Sequence, residues 1–158
     1  MNQIKIAYYK GKRSENKRAT LLDWLICFFT RSRFSHVEVV LDHNPYGLSK
    51  CASSSPRDNG VRYAYIDLQS GHWEVYTLGE GFNYTAEDVK SYFDQHIGKK
   101  YDWFGALGVV VPFLNGKKNR WFCSEITADL FGLDKPSEMR PRDIFEYFVR
   151  FNHRPVYL

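Results

Sequence analysis

The spacing of hydrophobic and polar residues changes near the middle of the chain. Residues 35–41 (SHVEVVL) alternate and are rich in β-branched side chains, which predicts a strand with His36 and Glu38 on the same face. Further short strands are predicted at residues 4–9, 48–55, 61–68 and 72–78, separated by turns rich in Gly, Pro, Asn and Asp. The first half is therefore expected to be mostly a meander of antiparallel strands.

The second half has the pattern of helices. Thr85 with an acid three residues later predicts a capped helix over residues 85–96, and Asp102 is expected to cap an apolar helix that Pro112 ends or kinks. Further helices are predicted at residues 17–30, 123–131 and 142–151. Strands in one block and helices in others predict an α+β fold, with helices packed against an antiparallel sheet. Its length of 158 residues suits one domain, 1–158.

Charge and apolar content narrow the classes of function. The net charge is 22 − 18 = +4, and no nucleic-acid motif accompanies the basic clusters, so we interpret them as solvated faces and expect no nucleic-acid partner. The longest apolar run, residues 105–114, is far below the ~20 residues of a spanning helix, so no transmembrane segment is expected. The first residues lack an apolar signal-peptide region, which predicts a reducing, cytoplasmic location.

The three cysteines differ in their surroundings. Their odd number, wide spacing and lack of a C-x-x-C motif exclude a disulfide framework or zinc ribbon. Cys27 lies in an apolar run and is expected in the core, whereas Cys51 is expected to be either half-buried or exposed. Cys123 begins a predicted helix, where the helix dipole and unpaired N–H groups stabilise a thiolate and can receive an oxyanion.

A nucleophilic cysteine needs a base, and the base needs an orienting group. Of five histidines, His36 is the best placed, because it starts a strand and shares a face with Glu38. The others lie in turns, near a helix end or in the C-terminal tail. On these residues alone, His36 is either a general base or a histidine that the fold simply satisfies.

Three short motifs in order resemble a known family. They are Phe34-Ser35-His36-Val37-Glu38, Lys100-Tyr101-Asp102 and Phe122-Cys123-Ser124-Glu125, and the turn at residues 53–62 (SSSPRDNGVR) adds to them. The set resembles the circularly permuted NlpC-type papain-like amidases, relatives of lecithin retinol acyltransferase, and in particular small members from bacteria and their viruses. The resemblance implies a permuted papain-like fold, Cys123 as nucleophile and His36 as base.

The family also implies a third polar residue that orients the imidazole. The matching region at residues 51–54 contains no acid, amide or histidine, so Ser53 or Ser54 could serve only weakly. Glu38 is the stronger acceptor and is the residue we favour. Tyr101 matches a tyrosine near the nucleophile, where it either helps hold an oxyanion or simply forms part of the cleft wall.

The sequence therefore predicts a thiol hydrolase, a cysteine peptidase or amidase, in which Cys123, His36 and Glu38 act on an amide bond of a peptide or other acyl substrate. A lipid ester is the alternative acyl donor. No metal or organic cofactor is expected, because Cys and His are sparse and no glycine-rich phosphate loop is present. Two other classes compete: a non-catalytic binding module on the same scaffold, and a basic protein of nucleic-acid or membrane surfaces. The oligomeric state stays open.

Overall fold

An eight-stranded sheet organises the part of the chain that the structure describes. The structure is a computed structural model, and it describes residues 4–10, 32–79, 81–108, 119–150 and, for the backbone, 154–156. The strands are β1 (Lys5–Lys10), β2 (Phe34–Asp42), β3 (Ser49–Ser55), β4 (Gly60–Ile66), β5 (Trp73–Thr77), β6 (Lys100–Tyr101), β7 (Arg120–Trp121) and β8 (Arg154–Val156). Their order is β7-β6-β4-β3-β2-β1-β5-β8, and only the β6–β7 pair is parallel.

The predicted meander is right for β1 to β4 and wrong for β5. Each of the first three strands pairs with the next, whereas β5 pairs with β1, with Val75 opposite Ala7. The free edge of β4 is taken instead by β6, where Gly60 lies opposite Lys100. Val75 joins Ala7 in a small apolar cluster, and this long-range contact is invisible to a residue-by-residue pattern.

Four helices lie among the described residues: α1 (Ala86–Asp94), α2 (Trp103–Gly108), α3 (Cys123–Leu130) and α4 (Pro141–Val149), together with a short 3-10 turn at Pro136–Glu138. The predicted caps are present. The Thr85 hydroxyl accepts the Asp88 N–H at 3.1 Å, and the Asp102 carboxylate accepts the Gly105 N–H at 3.0 Å. The α+β class with a mostly antiparallel sheet is confirmed.

The main core lies between the sheet and three of the helices. It contains Val37 and Val39 from β2, Phe93 from α1, Ile126 from α3 and Phe148 from α4, all at most 1 % exposed. Since α3 and α4 both contact β2, the strand that carries His36 is the centre of this packing. A smaller apolar cluster consists of Ala7, Val40, Cys51, Leu68 and Val75.

Two predicted features lie outside the described residues, and three short strands were not predicted. The predicted helix at residues 17–30, with Cys27, and the predicted end or kink at Pro112 lie outside the described residues. The short strands β6, β7 and β8 were not predicted, because two or three residues carry no measurable periodicity. Among the described helices, all are too short or too polar to cross a bilayer.

Candidate functional site

His36 and Glu38 form a close pair on β2. The His36 Nε2–H donates to Glu38 Oε1 at 2.7 Å, so the carboxylate reaches back over two residues of strand, as their shared face allows. Glu38 is fully buried, and the His36 side chain is 16 % exposed. Glu38 therefore fixes the ring of His36 and leaves its Nδ1 for a second partner.

Cys123 is the first residue of α3. The helix begins there because Phe122 is extended, with φ −108° and ψ 169°, and its N–H is accepted by Glu125 Oε2 at 3.3 Å. The Cys123 side chain lies beside the His36 imidazole, close enough to raise its pKa. The fold thus brings the three residues singled out from the sequence into one chain of contacts, in the order Cys123, His36, Glu38.

The charges of these groups support one another. Burial opposes protonation of His36, but the interaction with Cys123, together with the hydrogen bond and charge of Glu38, outweighs burial and raises the pKa of His36 to about 9. The imidazole is consequently protonated at neutral pH.

A residue missed at the level of sequence, Arg62 of β4, completes the site. Its two terminal nitrogens donate to both oxygens of Glu38 at 2.6 and 2.7 Å, and its Nε donates to Asp58 Oδ2 at 2.9 Å. Burial would raise the pKa of Glu38, but the charge of Arg62 and the bonds from His36 and Arg62 lower it to about 2. Glu38 is thereby ionised despite being buried.

The strand register explains how Arg62 reaches Glu38. Ser53 of β3 lies opposite Arg62, and one step along the strands from the Val39–Ala52 pair, Ser53 lies opposite Glu38. Glu38, Ser53 and Arg62 therefore form a row across three strands, with a small residue in the middle. The sequence did contain a signal for this ion pair: in the predicted three-stranded meander, an Arg and a Glu occupy matching positions.

Ser53 and Ser54, the weaker alternatives for orienting His36, bond to the backbone instead. The Ser53 hydroxyl donates to the Val37 carbonyl at 2.8 Å, and the Ser54 hydroxyl donates to the Trp121 carbonyl at 2.6 Å. Ser54 therefore ties β3 to the residue two positions before Cys123, which helps to hold the start of α3 near β2.

A cleft of about 210 Å³ opens beside His36. Its walls include Ser35, the 55–58 turn, Arg62 and Tyr101, so Tyr101 is placed at the site as a wall residue. Cys123, in contrast, does not line this cleft and is only 4 % exposed. The imidazole thus faces the cleft, while the thiol lies nearly buried next to it.

The other cysteine that the structure describes is inert by position. Cys51, left open between half-buried and exposed, is fully buried in the smaller apolar cluster. Burial, with the nearby charge of Glu38, raises the pKa of its thiol well above the ordinary range. Of the two described cysteines, only Cys123 has a basic partner.

Two acids near Cys123 have structural roles. Asp102 caps α2, and Glu125 accepts the Phe122 N–H at the start of α3. Burial raises the pKa of Glu125 to about 7; the Phe122 N–H opposes this, and the charges of Asp102 and Asp129 add to it.

Two of the remaining histidines bond elsewhere. His43 Nδ1 lies 3.2 Å from the Ser49 hydroxyl, and His96 Nδ1 lies 2.8 Å from the Tyr92 carbonyl. In the described part of the chain, no three His, Cys, Asp or Glu side chains come together in a way that could hold a metal ion.

Comparison with known proteins adds no assignment. A scan of the chain against protein-family models found no matching family, and a search of the curated proteins found no match.

Proposed function

We propose that the protein is a thiol hydrolase, a cysteine peptidase or amidase, on a circularly permuted papain-like domain. The observation that carries the proposal is the position of Cys123 beside the hydrogen-bonded pair of His36 and Glu38. A nucleophile, a base and a group that orients the base are what covalent acyl transfer requires. They come from different elements, α3 and β2, so a local sequence pattern does not explain their meeting.

In the first half of the reaction, the Cys123 thiolate attacks the carbonyl carbon of an amide and a C–S bond forms. The His36 imidazolium gives its proton to the leaving nitrogen as the C–N bond breaks, which releases an amine and leaves a thioester. Water then attacks the thioester while His36 accepts its proton. The C–S bond breaks, the acid product leaves and the Cys123 thiolate is restored beside a protonated His36.

Backbone N–H groups stabilise the oxyanion of both steps. The first N–H groups of a helix have no intrahelical acceptor, and those of α3 surround Cys123. Tyr101 lines the adjoining cleft and is the candidate hydroxyl for the same oxyanion.

The proposed substrate is a peptide amide. A lipid ester is the alternative, since the same steps apply with an alcohol as the leaving group. A reducing, cytoplasmic location belongs to the proposal because a thiolate nucleophile must stay unoxidised.

A second function, a non-catalytic binding module, is favoured by one observation. Cys123 is 4 % exposed and does not line the cleft, so a ligand in the cleft as it stands would meet His36 and Arg62 rather than the sulfur. The same cleft would then bind a ligand without acylation.

Alkylation with iodoacetamide, followed by peptide mapping, distinguishes the two. An enzyme predicts that Cys123 is modified first, that Cys51 stays unmodified in the folded protein, and that His36→Ala slows the reaction of Cys123. His43→Ala is the matched control, because His43 bonds to Ser49 and should leave the rate unchanged. Equal labelling of Cys123 and Cys51, or a rate that ignores His36, would contradict the hydrolase. A panel of peptide amides, thioesters and lipid esters, with Cys123→Ala as blank, then identifies the substrate class.

A further inference from the structure

Glu38 poses a physical problem for the site. A carboxylate with no solvent exposure normally takes up a proton, because burial without compensation penalises the charged form heavily. A neutral Glu38 could still accept a hydrogen bond, but it would lend His36 no negative charge. Whatever keeps Glu38 ionised therefore also controls the charge of His36.

Arg62 has the geometry for this task. Its guanidinium forms a bidentate salt bridge with Glu38, with N···O distances of 2.6 and 2.7 Å. Because the Arg62 side chain is only 17 % exposed, solvent screens this salt bridge weakly. Its third donor, Nε, bonds to Asp58, which lies in the turn before β4 and is half-exposed. Asp58 thereby fixes the plane of the guanidinium from the outer side.

We propose that Arg62 is a positioning residue, which keeps the buried Glu38 carboxylate charged and aimed at His36, so that His36 stays protonated beside the Cys123 thiol. This inference rests on the proposed function, and it adds a residue that acts on Cys123 through two others. Arg62 differs from a generic buried ion pair because its partner Glu38 passes the charge on to the base. A lysine could supply the positive charge but could not donate to both carboxylate oxygens in the same bidentate geometry.

The charged and titratable groups around the pair come from several elements. On β2 they are His36 and Glu38 themselves. Near Glu38 lie Cys51 on β3 and Arg62 on β4. Next to His36 lie Cys123 on α3 and Tyr9, which is opposite it on β1. The cleft is also lined by Arg57 and Asp58. Among these described groups, Arg62 is the one cation that contacts Glu38 apart from His36.

Histidine-detected NMR titration of the full chain measures the effect directly, with His36→Gln to assign the signal. In Arg62→Met we expect the pKa of His36 to fall by about 1 to 3, the usual effect of an opposite charge, and in Arg62→Lys by less. The rate of Cys123 alkylation, followed as a function of pH, should show its His36-dependent step at a correspondingly lower pH. Arg140→Met is the matched control. It removes another two-pronged pair, with Asp143 on α4 outside the cleft, and should change neither value.

A double-mutant cycle shows whether Arg62 acts through Glu38. In a Glu38→Gln background, Arg62→Met should cause no further fall in the pKa of His36, because no carboxylate is left to ionise. The Glu38→Gln/Arg62→Met protein also leaves no unpaired buried charge, so it keeps the measurement possible where Arg62→Met alone fails to fold.

Two outcomes would overturn the proposal: an unchanged His36 pKa in both Arg62 variants, or an equal fall in the Glu38→Gln background. These outcomes differ from a failure of the proposed function. If Cys123 is not alkylated ahead of Cys51 in the wild-type protein, the hydrolase fails even where the Arg62 effect on His36 is found.

Discussion

Arg62 binds both oxygens of Glu38 across an intervening strand. Next-but-one strands lie about 10 Å apart, so only a long side chain passing a small one can make this contact. Ser53 is that small residue, and its hydroxyl turns to the Val37 carbonyl. The charge of the candidate site therefore depends on a serine that touches no reacting group.

Enlarging Ser53 should separate this ion pair. Ser53→Leu adds bulk between Glu38 and Arg62, and we expect a loss of about 1–3 kcal/mol in the free energy of unfolding with a lower His36 pKa. Ser53→Ala is the matched control. It removes one hydrogen bond, costs about 1 kcal/mol and leaves the His36 pKa unchanged. Urea unfolding and NMR titration measure both quantities, and an unaltered His36 pKa in Ser53→Leu would refute the packing argument.

Stability should fall on the alkaline side of neutrality. The pKa of His36 is raised from 6.5 to about 9, so its contribution is complete below pH 6.5 and is lost as the pH rises to about 9. The loss is up to about 3 kcal/mol, since each pKa unit corresponds to about 1.4 kcal/mol. Urea unfolding from pH 6 to 10 measures it. His36→Gln should remove this alkaline loss of stability. If the loss persists in His36→Gln, other titratable groups cause it.

Stability should also fall at acid pH, and here the responsible group is Glu38. The pKa of Glu38 is lowered from 4.5 to about 2, so its stabilisation is present above pH 4.5 and is lost as the pH falls towards 2. Acid unfolding of Glu38→Gln should therefore show a weaker dependence on pH between 4.5 and 2 than that of the wild type. Equal slopes for the two proteins would mean that other carboxylates dominate.

Gly60 should tolerate no side chain. It has φ +155°, and an added Cβ would lie 2.1 Å from the backbone oxygen of Lys99, where β4 meets β6. Since backbone cannot move aside cheaply, we expect Gly60→Ala to cost at least about 2 kcal/mol in urea unfolding. Gly71→Ala separates strain from clash: its φ is +74°, and nothing lies within 4 Å of the added Cβ. It should cost about 1 kcal/mol, and similar losses for both variants would contradict the role of the Lys99 contact.

The N-terminal cap of α1 should make a measurable contribution to the free energy of unfolding. Thr85→Ala removes the hydroxyl that accepts the Asp88 N–H and should lower the free energy of unfolding by about 1 kcal/mol. Ser91→Ala, on the exposed face of the same helix, should be neutral or slightly stabilising. Equal effects in urea unfolding would show that helix propensity, rather than capping, determines the result.

The sequence by itself determined the local features. Alternation predicted β2 with His36 and Glu38 on one face, and helix-end chemistry predicted the Thr85 and Asp102 caps. The pattern of residues 123–131 predicted that α3 begins at Cys123. These features depend on residues a few positions apart, whose spacing the backbone geometry dictates.

Only the tertiary structure decided which of these elements meet. The place of β5 beside β1, the burial of Cys51, the contact of Cys123 with His36 and the clamp of Arg62 on Glu38 all depend on strand order and helix packing. Such choices arise from small differences between large burial and electrostatic terms summed over the whole fold, and a buried charge gains its partner only once three strands are aligned.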